Sequence, residues 1–132
     1  MTVRCGSGDH PEHDVYAALC PGREVLEALS GKWSALAIGA LEAEPQRFTH
    51  IQRRLQGVSP KVLTRTLRQL EQFGFLTRTV IPAVPVRVEY ALTELGRGAA
   101  QPLAQLRTWV ETNMDSVRFQ GQTEIGPTQR IH

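Results

Sequence analysis

Between Arg47 and Arg68 the chain carries no aspartate or glutamate, yet it holds Arg47, His50, Arg53, Arg54, Lys61, Arg65 and Arg68. The formal net charge of all 132 residues is only +2, so basic charge is concentrated in this one segment. Long hydrophobic runs are also lacking. Every apolar stretch is broken by charge well short of the ~20 residues a membrane helix needs, and residues 1–13 are polar, without the apolar run of a secretory signal. A soluble cytoplasmic protein is expected. Cysteine is scarce: Cys5 and Cys20 alone do not make a disulfide scaffold, and cytosolic thiols are normally kept reduced. The spacing of Cys5, His10, His13 and Cys20 matches no structural zinc pattern, so no metal site is expected. Paired carboxylates, a glycine-rich phosphate loop and a Ser/His/Asp arrangement are all missing, which leaves catalysis and a cofactor without support.

With 41% hydrophobic and 21% charged residues the composition is that of an ordinary globular domain. A mobile tail is expected over 1–13, a single folded domain over 14–118 and a second mobile tail over 119–132, where Gln, Gly, Thr and Pro take over. The pattern turns helical near Val15, breaks at Cys20-Pro21, and resumes with Val25, Leu26 and Leu29 on one face until Ser30-Gly31. A further helix from Lys32 packs Trp33, Leu36, Ala37, Ala40 and Leu41 and ends by Pro45.

Phe48, Ile51 and Leu55 then recur at helical spacing. Gln56-Gly57-Val58-Ser59-Pro60 joins this short helix to another, with Ser59 as N-cap and Pro60 as first helical residue. In that second helix Leu63, Leu67 and Leu70 point inward, while Lys61, Thr64, Arg65, Arg68 and Gln72 form a polar stripe. Gly74 stops it. Two helices joined by a tight turn, the second basic on its outer face, suit the DNA major groove. A hairpin follows. Leu76 to Ile81 is one strand, and Val86, Val88, Tyr90 and Leu92 alternate with Arg87, Glu89 and Ala91 in the other, with Pro82 and Pro85 stiffening a four-residue loop. Thr93 caps a final helix, kinked or interrupted near Pro102, with Leu95, Ala99, Leu103, Leu106, Val110 and Val117 along one stripe. The expected fold is mostly α with a small β-hairpin wing: a winged helix-turn-helix, dimeric through its terminal helices.

Cys20-Pro21, Gly31-Lys32-Trp33, Arg47-Phe48, Val58-Ser59-Pro60-Lys61-Val62-Leu63-Thr64, Leu67-Arg68-Gln69-Leu70-Glu71, Pro85-Val86-Arg87-Val88-Glu89-Tyr90 and Leu92-Thr93-Glu94-Leu95-Gly96 together resemble the HxlR family. These are bacterial winged-helix transcription regulators related in architecture to the MarR group. The resemblance runs from about Cys20 to Trp109, and Gly22 departs from the usual residue after the Cys-Pro pair. It implies a homodimer on operator DNA, acting often as a repressor and sometimes as an activator. It also implies, in some members, sensing of oxidants or electrophiles through the cysteine matching Cys20.

Specific roles follow. Lys61, Thr64, Arg65 and Arg68 are the expected groove readers, because Arg, Thr and Gln can address base edges. Ser59 is foremost a cap, at a helix start that also suits a phosphate. Arg53 and Arg54 are placed on phosphates. Arg87, near the wing tip, either reaches phosphate or minor groove or pairs with Glu89 or Glu94. Leu103, Leu106, Trp109 and Val110 exceed what a small unit's own core can absorb and are assigned to a two-fold interface, joined by Tyr16 and Leu19. Cys20 is either a packing residue or a thiol activated by the helix start, with Arg23 adding to the effect. The rival to a DNA-binding regulator is a winged-helix module used for protein contacts.

Overall fold

Three helix starts are set by side chains. The computed structural model describes residues 14–118, and the expected tails, with Cys5, His10 and His13, lie outside them. Helix α1 (Pro21–Ser30) begins on Cys20, whose sulfur accepts the Gly22 N–H at 3.3 Å. After α2 (Lys32–Ala40), the short strand β1 (Gln46–Arg47) and α3 (Phe48–Arg54), helix α4 (Pro60–Gln72) begins on Ser59, whose hydroxyl accepts the Val62 N–H at 3.1 Å. Strands β2 (Leu76–Ile81) and β3 (Arg87–Leu92) lead to α5 (Glu94–Asn113), capped by Thr93 accepting the Gly96 N–H at 3.0 Å. A 3-10 turn, Met114–Ser116, follows. Such caps satisfy N–H groups that the first helical turn leaves without partners.

The expected helix from Val15 is a pair of turns instead. Asp14 Oδ1 accepts the Tyr16 N–H, and the Arg23 guanidinium donates to the Val15 and Tyr16 carbonyls at 3.1 and 2.8 Å. An Asp side chain competing for a nearby N–H favours a turn over a helix. Arg23 is therefore committed to these carbonyls, where the sequence had suggested a role beside the Cys20 thiol.

Gly57 and Gly74 have φ of +94° and +87°, the left-handed region that glycine enters without a Cβ clash. Gly74 ends α4 in a Schellman motif: Phe75 N–H donates to the Leu70 carbonyl and Gly74 N–H to that of Glu71. The sheet is antiparallel in the order β1-β3-β2, with Leu76 opposite Leu92 and Gln46 opposite Tyr90. The loop of the hairpin covers residues 82–86, one longer than expected. Pro102 does not interrupt α5. Gly98, whose carbonyl loses its i+4 partner there, is exposed to water.

Ile38, Ile51, Leu55, Leu63, Leu67 and Leu70 are the largest fully buried side chains. They join α2, α3 and α4 into one core that Phe75, Leu76, Tyr90 and Leu92 extend under the sheet. Burial of each large aliphatic contributes about 1.5–3 kcal/mol. On α2 the expected Ala37 is buried together with Ile38 and Ser34, whereas Leu36 is partly exposed. No helix among the described residues is long and apolar enough to cross a membrane.

The junction of wing and last helix is the tightest point. Thr93 Oγ1 also donates to the Gly74 carbonyl at 2.6 Å, and a Cβ on Gly96 would collide with the Phe75 carbonyl. Thr93→Ala should cost about 1 kcal/mol and Gly96→Ala up to about 3 kcal/mol, read as shifts of the urea midpoint. A Gly96→Ala protein unfolding with wild type would contradict this packing of α5.

Candidate nucleic-acid interface

Helix α4 is held from one side. Leu63, Leu67 and Leu70 lie in the core, and so at helical spacing Lys61, Arg65 and Arg68 face solvent with Thr64 half-buried beside them. These residues, with Pro60, Thr66, Gln69 and Gln72, line an open groove of about 830 Å³ along the helix. Between Glu44 and Glu89 the sole carboxylate in the sequence is Glu71. Among the described residues the ion pair found is Arg107 to Glu42 at 3.1 Å, far along the chain from this face. The charges of Lys61, Arg65 and Arg68 are therefore uncompensated, which raises the local positive potential and attracts a polyanion.

The neighbouring candidates divide. Ser59 caps α4 by accepting the Val62 N–H, which leaves its own hydroxyl hydrogen able to reach a phosphate oxygen. Arg53 is exposed in the last turn of α3. Arg54 is about 100° further round that helix, and it lines a separate 240 Å³ depression with Leu36, Gly39, Ala40, Leu55, Gln56, Arg107 and Glu111. The structure thus places Arg54 toward α2 and α5, apart from the α4 groove. Arg87 stands at the start of β3 opposite Ile81 and is exposed, with neither Glu89 nor Glu94 in ion-pair reach. Arg78 on β2, opposite Tyr90, is a further exposed cation absent from the sequence-derived set. Continuation of the acid-poor stretch through β2 was the signal that marks it.

On α5, Leu103 packs against the core, while Leu106, Trp109 and Val110 are 57, 58 and 41% exposed. Leu103, Leu106 and Val110 line an apolar depression with Ala35 and Leu36 of α2. Tyr16 and Leu19 are likewise solvent-facing. Arg107 reaches Glu42 across Gly39, where any Cβ would press on its guanidinium. Cys20 is only 4% exposed and disulfide-bonded. A Cβ at Gly22 would approach its sulfur to 3.2 Å, so the departure from the family's residue there clears space beside the Cys20 sulfur. Among the described residues no group of three or more His, Cys, Asp or Glu is placed to hold a metal.

A basic helix presented after a tight turn, followed by a β-hairpin wing, defines a winged helix-turn-helix transcription regulator. The family model described as HxlR-like helix-turn-helix matches residues 28–118, and the chain belongs to this family, one of regulators and not of enzymes. It is 42% identical over 106 residues to the HTH-type transcriptional regulator YtfH of Escherichia coli K12, covering 80% of this chain and 84% of that one. The solved structure of the ytfH regulator from Salmonella typhimurium is similar at TM-score 0.76 and 38% identity, over 91% of this chain and 99% of that one. The redox regulator HypR in its oxidized form is similar at TM-score 0.66 and 34% identity, over 71 and 97% of the two chains. Regulators of this type bind DNA.

Arg65→Ala and Arg68→Ala should each cost about 1–3 kcal/mol against a specific duplex selected from genomic DNA. Arg53→Ala should weaken specific and random duplexes alike and reduce the salt slope by about one unit. Arg54→Ala, facing α5, should leave that slope unchanged. Competition binding across several salt concentrations separates the three outcomes. Unaltered specific binding by the Arg65 and Arg68 variants would exclude α4 as the reader.

Proposed function

We propose that the chain is a cytoplasmic homodimeric repressor that binds an inverted-repeat operator and responds to oxidants or electrophiles through Cys20. The observation that carries the reading is the uncompensated basic face of α4, with Lys61, Thr64, Arg65 and Arg68 addressing bases and Arg53 and Arg87 addressing backbone. Uncompensated arginine weighs against a module built for protein contacts alone, since clustered unpaired cations attract a polyanion, and a steep loss of DNA affinity with salt is the expected mark of that attraction. Repression requires only that the dimer occupy its operator.

Dimerisation is supported by the apolar part of α5 that the unit leaves in water. Two units joined there present the same residues to each half-site, which calls for an inverted repeat with recognition helices about 34–36 Å apart. Leu106 and Trp109 are exposed, so Leu106→Glu with Trp109→Glu spares the core and places like charges at the seam. Sedimentation should show this double variant as a folded monomer beside a wild-type dimer. An intact dimer in the variant contradicts the proposed interface.

For Cys20 the support is its place in the fold together with the likeness to a redox regulator. Reduction would release a thiolate at the start of α1, where the Gly22 N–H and the helix dipole lower its energy. Helix α1 packs on both α2 and the reading helix α4, so a shift at its first turn is transmitted to the DNA face. Treatment of the reduced protein with a quinone or peroxide should change operator affinity about tenfold and leave Cys20→Ser unaffected. Equal responses of the two proteins would reduce Cys20 to a packing residue.

A further inference from the structure

Two depressions meet where α2, the turn after α3 and the second half of α5 come together. One, of about 240 Å³, has Arg54 and Gln56 on its rim and Gly39 in its wall. The other, also about 240 Å³, is walled by Leu103, Leu106 and Val110. Leu36, Arg107 and Glu111 line both, so the two form one continuous site along the seam of α2 and α5. Joined in this way they reach the size of a small-molecule pocket, roughly 300–1,000 Å³. The charges around the site are not equivalent. Arg107 is engaged by Glu42 at 3.1 Å, and the Lys32 ammonium lies over the Trp33 ring, 4.5 Å from its centroid. Among the described residues Arg54 and Glu111 have no ion-pair partner, although both line the first depression. They face the same space without meeting.

We propose that this site binds a leucine-sized apolar α-amino acid, which acts as an effector of DNA binding. The order of the lining groups carries the inference. Arg54 belongs only to the first depression, Glu111 to both, and Leu103, Leu106 and Val110 only to the second. An amino acid presents its carboxylate, its α-ammonium and its side chain in that same order. The carboxylate accepts from the Arg54 guanidinium, the ammonium donates to Glu111, and the side chain covers Leu36, Leu106 and Val110. A plain carboxylate would meet Glu111 with like charge, and a plain amine would do the same to Arg54. An uncharged apolar ligand would strip water from both and give neither a partner. The zwitterion answers both charges.

The effect on DNA rests on the DNA-binding reading above; the binding of the amino acid does not. Arg54 ends α3, just before the turn at Gly57 that leads into α4. Glu111 lies in the half of α5 assigned to the two-fold seam. A ligand held by both side chains ties the reading unit to the dimer helix. It therefore favours one angle between them, and with it one spacing of the two reading helices.

The probe is L-leucine, with 4-methylpentanoate and 3-methylbutylamine as analogues that lack the ammonium and the carboxylate. Calorimetry on the full chain should show L-leucine bound and each analogue at least about tenfold weaker, as expected where a charge-assisted hydrogen bond is lost. Arg54→Gln and Glu111→Gln should each weaken L-leucine to the same degree. Both side chains are exposed, so both variants should keep the wild-type urea midpoint. Saturating L-leucine should change wild-type affinity for the duplex selected from genomic DNA by at least about fivefold, and leave that of Glu111→Gln unchanged. No binding of L-leucine, equal binding of either analogue, or unaltered L-leucine affinity in either variant overturns the site. Binding without a change in affinity for that duplex overturns the effector role. If no specific duplex is selected, the DNA-binding reading fails, while calorimetry still decides the site.

Discussion

Leu63, Leu67 and Leu70 are buried along one side of α4, in one core with Ile38 of α2, Ile51 of α3 and Leu55 just beyond α3. This anchoring dictates what the molecule shows to its surroundings. A helix fixed by leucines at i, i+4 and i+7 cannot rotate without exposing them, and each such side chain withdrawn to water costs about 1.5–3 kcal/mol. Its opposite face is therefore held outward with Lys61, Thr64, Arg65 and Arg68 in fixed order. The turn at Gly57 and the Schellman end at Gly74 set where the helix starts and stops. The wing is then tied to that end by the Thr93 hydroxyl on the Gly74 carbonyl.

The same core explains why α5 has two characters. Its first half is used by the unit itself: Gly96 lies against the Phe75 carbonyl, and Ala100 is buried. Its second half runs past the core, and Leu106, Trp109 and Val110 stay in water. Arg107 crosses Gly39 to Glu42 and fixes the direction in which this half projects from α2. A surface ion pair contributes about 0–1 kcal/mol, so its effect is on orientation more than on stability. Orientation of α5 decides how far apart two reading helices would stand in a dimer.

Local signals made much of this legible. Ser59-Pro60 before a leucine repeat and Gly74 after it mark α4 unambiguously, and Thr93 marks α5. The central strand β3 was legible from alternation in Val88, Tyr90 and Leu92, and β2 from its run of Thr and Val. Features decided by distant partners were not. Residues 14–19 have helical spacing, but Arg23 takes their carbonyls and Asp14 an N–H. Strand β1 is two residues long, too short for any period, and exists because Tyr90 and Glu89 offer it a ladder. Leu36 and Ile38 are equally apolar in sequence, and only the placement of α5 and α4 around α2 buries one of them. Adjacent arginines likewise look alike in a string, yet Arg53 and Arg54 face different parts of the molecule.

The central claim is that α4 reads the major groove, once in each half of a two-fold operator. Methylation of guanine N7 by dimethyl sulfate reports that groove base by base. On a duplex selected from genomic DNA, the account predicts two protected patches centred about one helical turn, 34–36 Å, apart, and loss of both in Arg65→Ala. Bound protein that leaves every guanine N7 open, or protects a single patch unaffected by Arg65→Ala, would contradict it.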